Sequence, residues 1–126
     1  MINSKYFTTD ELKCHGTGEC KMDEQFIQKL NKIREELNRP MIINSGYRSS
    51  EHNSTVGGAV NSPHIYGRAV DVSAVGGVAY EIIRLAIKYN ITGIGVSQRG
   101  THKRRFIHLD DMTSATHPRP WIWSYK

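Results

Sequence analysis

The 126-residue chain has few cysteines and no long apolar run. Its two cysteines, Cys14 and Cys20, cannot build the multiple disulfides that small secreted scaffolds use in place of a core. No segment approaches the roughly 18 apolar residues of a membrane span, and residues 1–6 do not lead into the apolar stretch of a secretory signal. The sequence therefore predicts no membrane span and no signal peptide, and it predicts synthesis in the cytoplasm.

Acidic residues are also in short supply. Seventeen Lys and Arg against twelve Asp and Glu give a net charge of +5, which fits an anionic partner. The positive charge is scattered except at Lys103, Arg104 and Arg105, and no basic stripe is interleaved with aromatic residues as a nucleic-acid groove requires. Nucleic acid is therefore not expected as the partner. The length fits a single domain over residues 1–126, expected to be a monomer.

The two cysteines lie six positions apart in a segment whose glycines permit a tight loop. A local disulfide or a pair of free thiols is one interpretation, and a second metal site with His15 as the third ligand is the other. Structural zinc normally has four closed ligands, and this spacing is not a usual zinc-finger pattern. The pattern therefore favours the disulfide or the free thiols.

Helical patterns come early in the chain and strand patterns mostly later. Thr8 and Glu11 form a capping box, and Asp23 caps a helix over 24–38 whose apolar residues recur every three or four positions. A second long helix is predicted over 78–89, and residues 45–62 read as a long irregular loop. Short apolar runs predict strands over 41–44, 69–72, 93–96, 106–109 and 121–123, and the first of them is predicted to be buried. The fold class is α+β, a small, mostly antiparallel sheet with helices packed on it.

His64 and Asp71 form the more informative of two candidate metal-binding segments. His64 stands at the end of a loop, and Asp71 follows seven residues later inside an apolar strand, where an unpaired carboxylate is costly to bury. A cation shared by the imidazole and the carboxylate would hold that charge. Gly67 between them lets the backbone turn tightly enough to bring both side chains to one point.

The segment 106–110 supplies a second histidine in an apolar strand. Because side chains alternate along a strand, Phe106, His108 and Asp110 are predicted to share one face. Two imidazoles and one carboxylate leave a fourth zinc position open, which is typical of a catalytic zinc site rather than a structural one. His64, Asp71 and His108 are therefore candidate ligands of one Zn²⁺ ion. The alternative for each residue taken singly is a loop histidine, a helix-cap or turn residue, and a core histidine.

Six segments carry a family resemblance: Ser45-Gly46-Tyr47-Arg48, His52-Asn53, Val56-Gly57-Gly58, Ser62 to Asp71, Phe106-Ile107-His108-Leu109-Asp110 and Pro120-Trp121-Ile122-Trp123. In order and spacing they resemble the short type of M15 zinc peptidase. That D-Ala-D-Ala carboxypeptidase-like group includes bacterial and phage peptidoglycan peptidases and shares its fold with the hedgehog signalling domain. The resemblance runs from about Phe7 to Tyr125, and it implies that fold and the same three zinc ligands.

The resemblance also places Arg48 near the carboxylate or the scissile carbonyl of the substrate. Its planar fork of donors suits both tasks, because it can hold a carboxylate at two points and can stabilise charge that develops on an oxygen. Ser62 is expected to hydrogen-bond the loop or the substrate. His52 is expected beside the substrate or as a brace that orients Arg48.

The general base is where the chain departs from better-known M15 members, which carry Glu or Asp three residues before the last zinc histidine. Arg105 occupies that position here, and an arginine cannot accept a proton near neutral pH. Asp110, on the same strand face as His108, is one candidate. His102 is the other, at an offset where the hedgehog domain carries a water-holding side chain. A site without a base is the third possibility.

These residues together predict a zinc metallopeptidase that hydrolyses an amide bond of the peptidoglycan stem peptide or cross-bridge. It would be a carboxypeptidase or an endopeptidase, and it would act on the cell wall in the periplasm, outside the cell or from a virion, as a phage lysin does. The alternative is a non-catalytic, zinc-stabilised module that binds cell wall or another protein, which Arg105 at the usual base position favours.

Overall fold

Five strands form one sheet in the computed structural model, which describes residues 4–125. The strands are β1 (Ile42–Ser45), β2 (Ala69–Ser73), β3 (Gly93–Ser97), β4 (Phe106–Asp110) and β5 (Trp121–Ser124). Their order across the sheet is β1-β2-β4-β3-β5, and every neighbouring pair is antiparallel except the parallel pair β3 and β5. The predicted α+β class with a mostly antiparallel sheet is confirmed.

Four α-helices accompany the sheet within residues 4–125: α1 (Thr9–Leu12), α2 (Glu24–Leu37), α3 (Ser50–Thr55) and α4 (Gly76–Lys88). Thr8 and Glu11 form the predicted capping box, and the Asp23 side chain accepts from the Phe26 N–H at the start of α2. Two 3₁₀ turns lie at Pro63–Tyr66 and His102–Arg104. No helix in the described part of the chain has the length and hydropathy to span a membrane.

Two of the sequence predictions were wrong in detail. The segment 45–62 is not wholly irregular, because α3 lies within it and begins where the Ser49 hydroxyl accepts the His52 N–H. The strand β1 is an edge strand rather than a buried one, and Ile42 is 65% exposed. The position of β1 at the edge depends on strand pairing that a local sequence pattern does not contain, whereas the Ser49 cap of α3 is local.

The core lies between one face of the sheet and the helices α2 and α4. Alternation along the strands puts Val70, Val72, Ile107 and Leu109 on that face, and all four are fully buried. Each helix presents an apolar stripe to the same core, formed by Phe26, Ile27, Leu30 and Ile33 on α2 and by Ala79, Ile82, Leu85 and Ala86 on α4. The opposite face of the sheet is therefore free to carry polar side chains.

The strand register places a row of residues at one level on that polar face. Asp71 pairs with Ser45 on one side and with His108 on the other, and Gly95 lies between His108 and Trp123. Side chains of directly opposed residues lie about 5 Å apart. The register therefore brings two predicted metal ligands side by side, although they are 37 positions apart in sequence.

Gly67 ends the 3₁₀ turn that carries His64, and its φ angle of +66° lies in the left-handed region. Its carbonyl accepts the Asp23 N–H, and a β-carbon at Gly67 would overlap the carbonyl oxygen of Lys21. The predicted tight turn at Gly67 is confirmed, and the close approach of the segment before α2 adds a second reason for glycine there.

We expect Gly67→Ala to lower the free energy of unfolding by at least about 3 kcal/mol, because left-handed backbone strain adds to the overlap with Lys21. Gly57→Ala is the matched control. Gly57 has a φ of +72° but nothing within 4 Å of its β-carbon position, so only the strain of about 1–2 kcal/mol applies. Denaturant unfolding of both variants measures the difference, and equal losses would contradict the overlap.

Candidate metal centre

Three side chains from separate elements converge on the polar face of the sheet. His64 comes from the 3₁₀ turn, Asp71 from β2 and His108 from β4. One ligand atom from each lies within 4.8 Å of the other two, and no other such group of three occurs among residues 4–125. The structure therefore brings together the three residues that the sequence predicted as ligands.

The outer nitrogen of each imidazole has its own hydrogen-bond acceptor. His64 Nδ1 donates to the Gly46 carbonyl at 2.8 Å, and His108 Nε2 donates to Asp110 Oδ2 at 2.7 Å. The inner nitrogens, His64 Nε2 and His108 Nδ1, lie 3.4 and 3.0 Å from Asp71 Oδ1. With one proton on each outer nitrogen, a neutral imidazole points a lone pair at a carboxylate oxygen, an arrangement that only a cation or an added proton stabilises.

The electrostatics of the three groups agree with this geometry. Burial opposes ionisation of Asp71, but the adjoining His108 and His64 side chains outweigh it and hold the pKa of Asp71 well below its usual range. Burial also opposes charging of His108, but hydrogen bonds to Asp110 and Asp71 raise its pKa. The centre therefore attracts positive charge, which a divalent metal ion supplies. Two imidazole nitrogens and one carboxylate are a donor set that fits zinc.

Asp110 lies behind His108 and away from the cleft. Its two oxygens accept from Arg119 Nε and Nη2 at 2.8 and 2.9 Å, and Oδ1 also accepts the Met112 N–H. Burial opposes ionisation of this fully buried carboxyl, but the contacts with His108 and Arg119 lower its pKa. A carboxylate that fixes the outer nitrogen of a metal-binding histidine orients the ring and strengthens the ligand.

Arg48 lies on the other side of Asp71. Its Nη2 is 3.5 Å from Asp71 Oδ2, its Nε donates to Ser45 Oγ, and its Nη1 donates to Asn53 Oδ1. The backbone N–H of Arg48 also donates to the His64 carbonyl. The segment that supplies Arg48 is thus tied to the turn that supplies His64, which fixes the guanidinium beside the metal ligands.

The three ligands open onto a cleft of about 380 Å³. The Trp123 ring lies 5.1 Å from the His108 ring, and the Arg119 guanidinium lies 5.3 Å from the Trp123 ring. Tyr125 packs on Phe106, and burial raises the pKa of its hydroxyl to about 12, so it remains a proton donor. Glycine at position 95 leaves room for Trp123 and Tyr125 to lie against the sheet.

The family model described as peptidase M15 matches residues 5–110, which include all three ligands and Arg48. The chain belongs to the peptidase M15 family. One relative is the zinc D-Ala-D-Ala carboxypeptidase of Streptomyces albus G, which is 47% identical over 47 residues. That match covers 36% of this M15 chain and 18% of the relative, so the chain spans less than a fifth of the relative's length.

Among the predicted substrate-binding residues, the structure places Ser62 and Arg48 on the cleft of this M15 domain but not His52. The buried Ser62 hydroxyl accepts the His64 N–H and starts the turn. His52 packs against Gly16, and its neighbour Asn53 braces Arg48 instead. This role of Asn53 was not predicted from the sequence, although residues 52–53 form one of the motifs that resemble the M15 family.

Neither predicted candidate for the general base lines the cleft. The contacts of Asp110 with His108 and Arg119 favour orienting the ligand over accepting a proton from water. His102 is exposed on the turn before β4, beside Ser73, Ala74 and Val75. Arg119, Trp123 and Tyr125 do line the cleft. The alternation of side chains along the strand 121–123 could have indicated that Trp123 faces the cleft. No local sequence pattern indicated the position of Arg119.

The two cysteines are free thiols in this structure. Cys14 is buried, and its sulfur accepts the Ser49 N–H at 3.4 Å. Burial opposes ionisation of the thiol, but hydrogen bonds from the Ser49 backbone and from Thr17 outweigh it and lower its pKa to about 7. His15 lies apart, with its Nε2 against the Asn44 carbonyl. The alternative metal site at Cys14, His15 and Cys20 is therefore not formed among the described residues.

We expect about one zinc ion per chain after dialysis, and we expect His64→Ala to weaken zinc binding by more than about 100-fold. Loss of a residue behind a ligand costs about 10–100-fold, so loss of a ligand costs more. His64→Ala should also lose the rise in melting temperature that zinc gives the wild type. Metal analysis and thermal melts with His15→Ala as the control test this. Unchanged zinc content in His64→Ala would contradict the assignment.

Proposed function

We propose that the chain is a zinc-dependent peptidase that hydrolyses an amide bond in the peptide part of peptidoglycan. The observation that carries this proposal is the meeting of two imidazole lone pairs and a carboxylate at an open cleft, with a fixed arginine beside them. Membership of the M15 family and the similarity to a protein named zinc D-Ala-D-Ala carboxypeptidase support the same reaction and substrate class.

His64, Asp71 and His108 would hold the ion through Nε2, a carboxylate oxygen and Nδ1. A bound zinc ion polarises a carbonyl group and makes water a stronger acid, which is the chemistry that amide hydrolysis needs. Gly46 and Asp110 keep the two rings in the orientation that points these nitrogens at Asp71. The ligand geometry is therefore set by the fold before any ion or substrate arrives.

Arg48 would bind the substrate carboxylate or the oxygen on which charge develops. Its guanidinium has five N–H donors, of which Ser45, Asn53 and Asp71 engage three. Two N–H groups therefore remain for substrate. Because Arg48 is held on three sides, little ordering is needed at the moment of reaction, and a preorganised donor of this kind is worth about 2.7–4 kcal/mol in the transition state.

The mechanism also needs a residue that accepts a proton from water. Apart from the three ligands, the titratable residues on the cleft are Arg48, Arg119 and Tyr125, none of which accepts a proton near neutral pH. Asp110 is enclosed by Arg119 and His108. His102 is therefore the remaining candidate from the sequence, and the loop 98–105 would have to bring its imidazole to the cleft.

The absence of a proton-accepting group among these cleft residues favours a second candidate function, a zinc-stabilised module that binds cell-wall peptide without cutting it. Both functions use the same ligands and the same Arg48, so zinc binding cannot separate them. They differ in turnover. In either case we propose that the protein acts at the cell wall, in the periplasm, outside the cell or carried by a phage as a lysin.

We expect the zinc-loaded protein to release peptide fragments or amino acids from purified peptidoglycan, with activity lost on chelation and restored by zinc. Arg48→Gln should lower kcat/KM by about 10²–10³-fold, because it removes a charged donor at the developing oxyanion. Arg39→Gln removes the same charge from the exposed end of α2 and is the matched control. Mass spectrometry of the products identifies the bond. No products from zinc-loaded protein would favour the binding module.

Asp110→Asn and His102→Ala separate a ligand-orienting role from a proton-accepting role. We expect Asp110→Asn to weaken zinc binding by about 10–100-fold and to regain most of its kcat when zinc is saturating. We expect His102→Ala to keep its zinc and to lose about 100-fold in kcat. A kcat defect in Asp110→Asn that persists at full zinc occupancy would instead make Asp110 the base. Wild-type kcat in both variants would exclude both Asp110 and His102 as the proton acceptor.

A further inference from the structure

The loop 98–105 between β3 and β4, here called the basic tip, carries most of the net charge of the chain. It contains Arg99, Lys103, Arg104 and Arg105 and no Asp or Glu. Of the seventeen Lys and Arg in the sequence, thirteen lie elsewhere, against all twelve Asp and Glu. The rest of the chain therefore has a net charge of only +1, and +4 of the protein's net charge of +5 lies in these eight residues.

Unlike most of the other described Lys and Arg side chains, those of the basic tip have no carboxylate partner within residues 4–125. Within residues 4–125, nine Lys and Arg side chains lie within 4.0 Å of an Asp or Glu oxygen. None of the four in the basic tip does so. Unpaired like charges close together repel one another, which is a cost that an anionic partner removes.

The basic tip is a folded turn. The Arg104 N–H donates to the Thr101 carbonyl, the Arg105 N–H donates to the His102 carbonyl, and Arg105 Nε donates to the Gly100 carbonyl. Arg99, Lys103 and Arg104 are exposed. Their charged ends are therefore available to a ligand.

The basic tip adjoins the cleft. Its last residue, Arg105, precedes Phe106, which lines the cleft, and His108 follows Arg105 by three positions, about 10 Å along the strand. A polymer bound at the basic tip would therefore lie beside the metal centre without entering it.

We propose that the basic tip binds a phosphodiester-linked anionic polymer of the cell wall and so holds the enzyme against its substrate. This inference rests on the proposed function for the presence of such a wall. Three of the four cations are arginines, whose forked donors match phosphate oxygens. The basic tip has no Phe, Tyr or Trp on which a nucleic-acid base could stack, and no apolar side chain that could enter a lipid surface. These features favour a polymer that the basic tip recognises through its phosphate groups alone.

The test is co-sedimentation of the zinc-loaded protein with purified cell walls, before and after hydrofluoric acid removes their phosphodiester polymers. The variant Arg99→Gln/Lys103→Gln/Arg104→Gln is compared with Lys5→Gln/Lys32→Gln/Arg39→Gln, which removes the same three charges elsewhere. We expect the first variant to bind untreated walls at least about tenfold more weakly. Its slope of log affinity against log salt should fall by about 2, for three lost phosphate contacts. The control variant should bind as the wild type does.

Several results would overturn the proposal. Equal losses in the two variants would mean that net charge alone matters, and a difference that survives hydrofluoric acid would exclude phosphate as the ligand. Tighter binding to a mixed-sequence DNA duplex than to untreated walls would assign the basic tip to nucleic acid. Melting temperature and zinc content of both variants control for folding. Because sedimentation needs no turnover, an inactive protein that binds through the basic tip would refute the peptidase function and leave this inference standing.

Discussion

Two imidazole nitrogens and a carboxylate of low pKa share one small space, and most of the polar contacts on that face of the sheet serve to hold them there. Each group alone would favour solvent, because burying a charge or a lone pair without a partner is costly. Gly46, Asp110 and Arg48 satisfy the outer atoms of His64, His108 and Asp71. The free energy needed to bring the ligands together therefore comes from folding of the chain. A bound metal ion would stabilise the folded state further through its own binding free energy.

The sheet links this centre to the hydrophobic core. Val70, Val72, Ile107 and Leu109 bury one face, and a one-residue slip of either strand would expose them. The same constraint keeps Asp71 opposite His108 on the other face. Hydrophobic burial thus sets the register, and the register sets the distance between the ligands. Stability and metal geometry are consequently not independent properties of this chain.

Whether a feature of the site could be predicted from the sequence depended on how far apart in the chain the contacting residues lie. The capping box and the shared face of His108 and Asp110 follow from local spacing, and the structure agrees with both. His64, Asp71 and His108 were predicted as ligands from local spacing together with the family resemblance, and the structure places the three side chains together. The partners of Asp110 do not follow from local spacing, because Arg119 reaches it from a loop that has no regular pattern. The role of Asn53 was likewise not predictable, because its hydrogen bond to Arg48 depends on how α3 packs. The candidate ligands could be recognised from short sequence segments, whereas the residues that orient them reach the site only through tertiary structure.

The charge balance of the cleft follows from these long-range contacts. The Arg119 guanidinium neutralises Asp110, so neither contributes a net charge to the cleft. Asp71 is likewise balanced by Arg48 at 3.5 Å. With both pairs neutral, the two positive charges of a bound divalent ion would remain uncompensated in a partly enclosed space, where electrostatic interactions are stronger than in water. A bound divalent ion in that balance would attract a ligand that brings negative charge of its own.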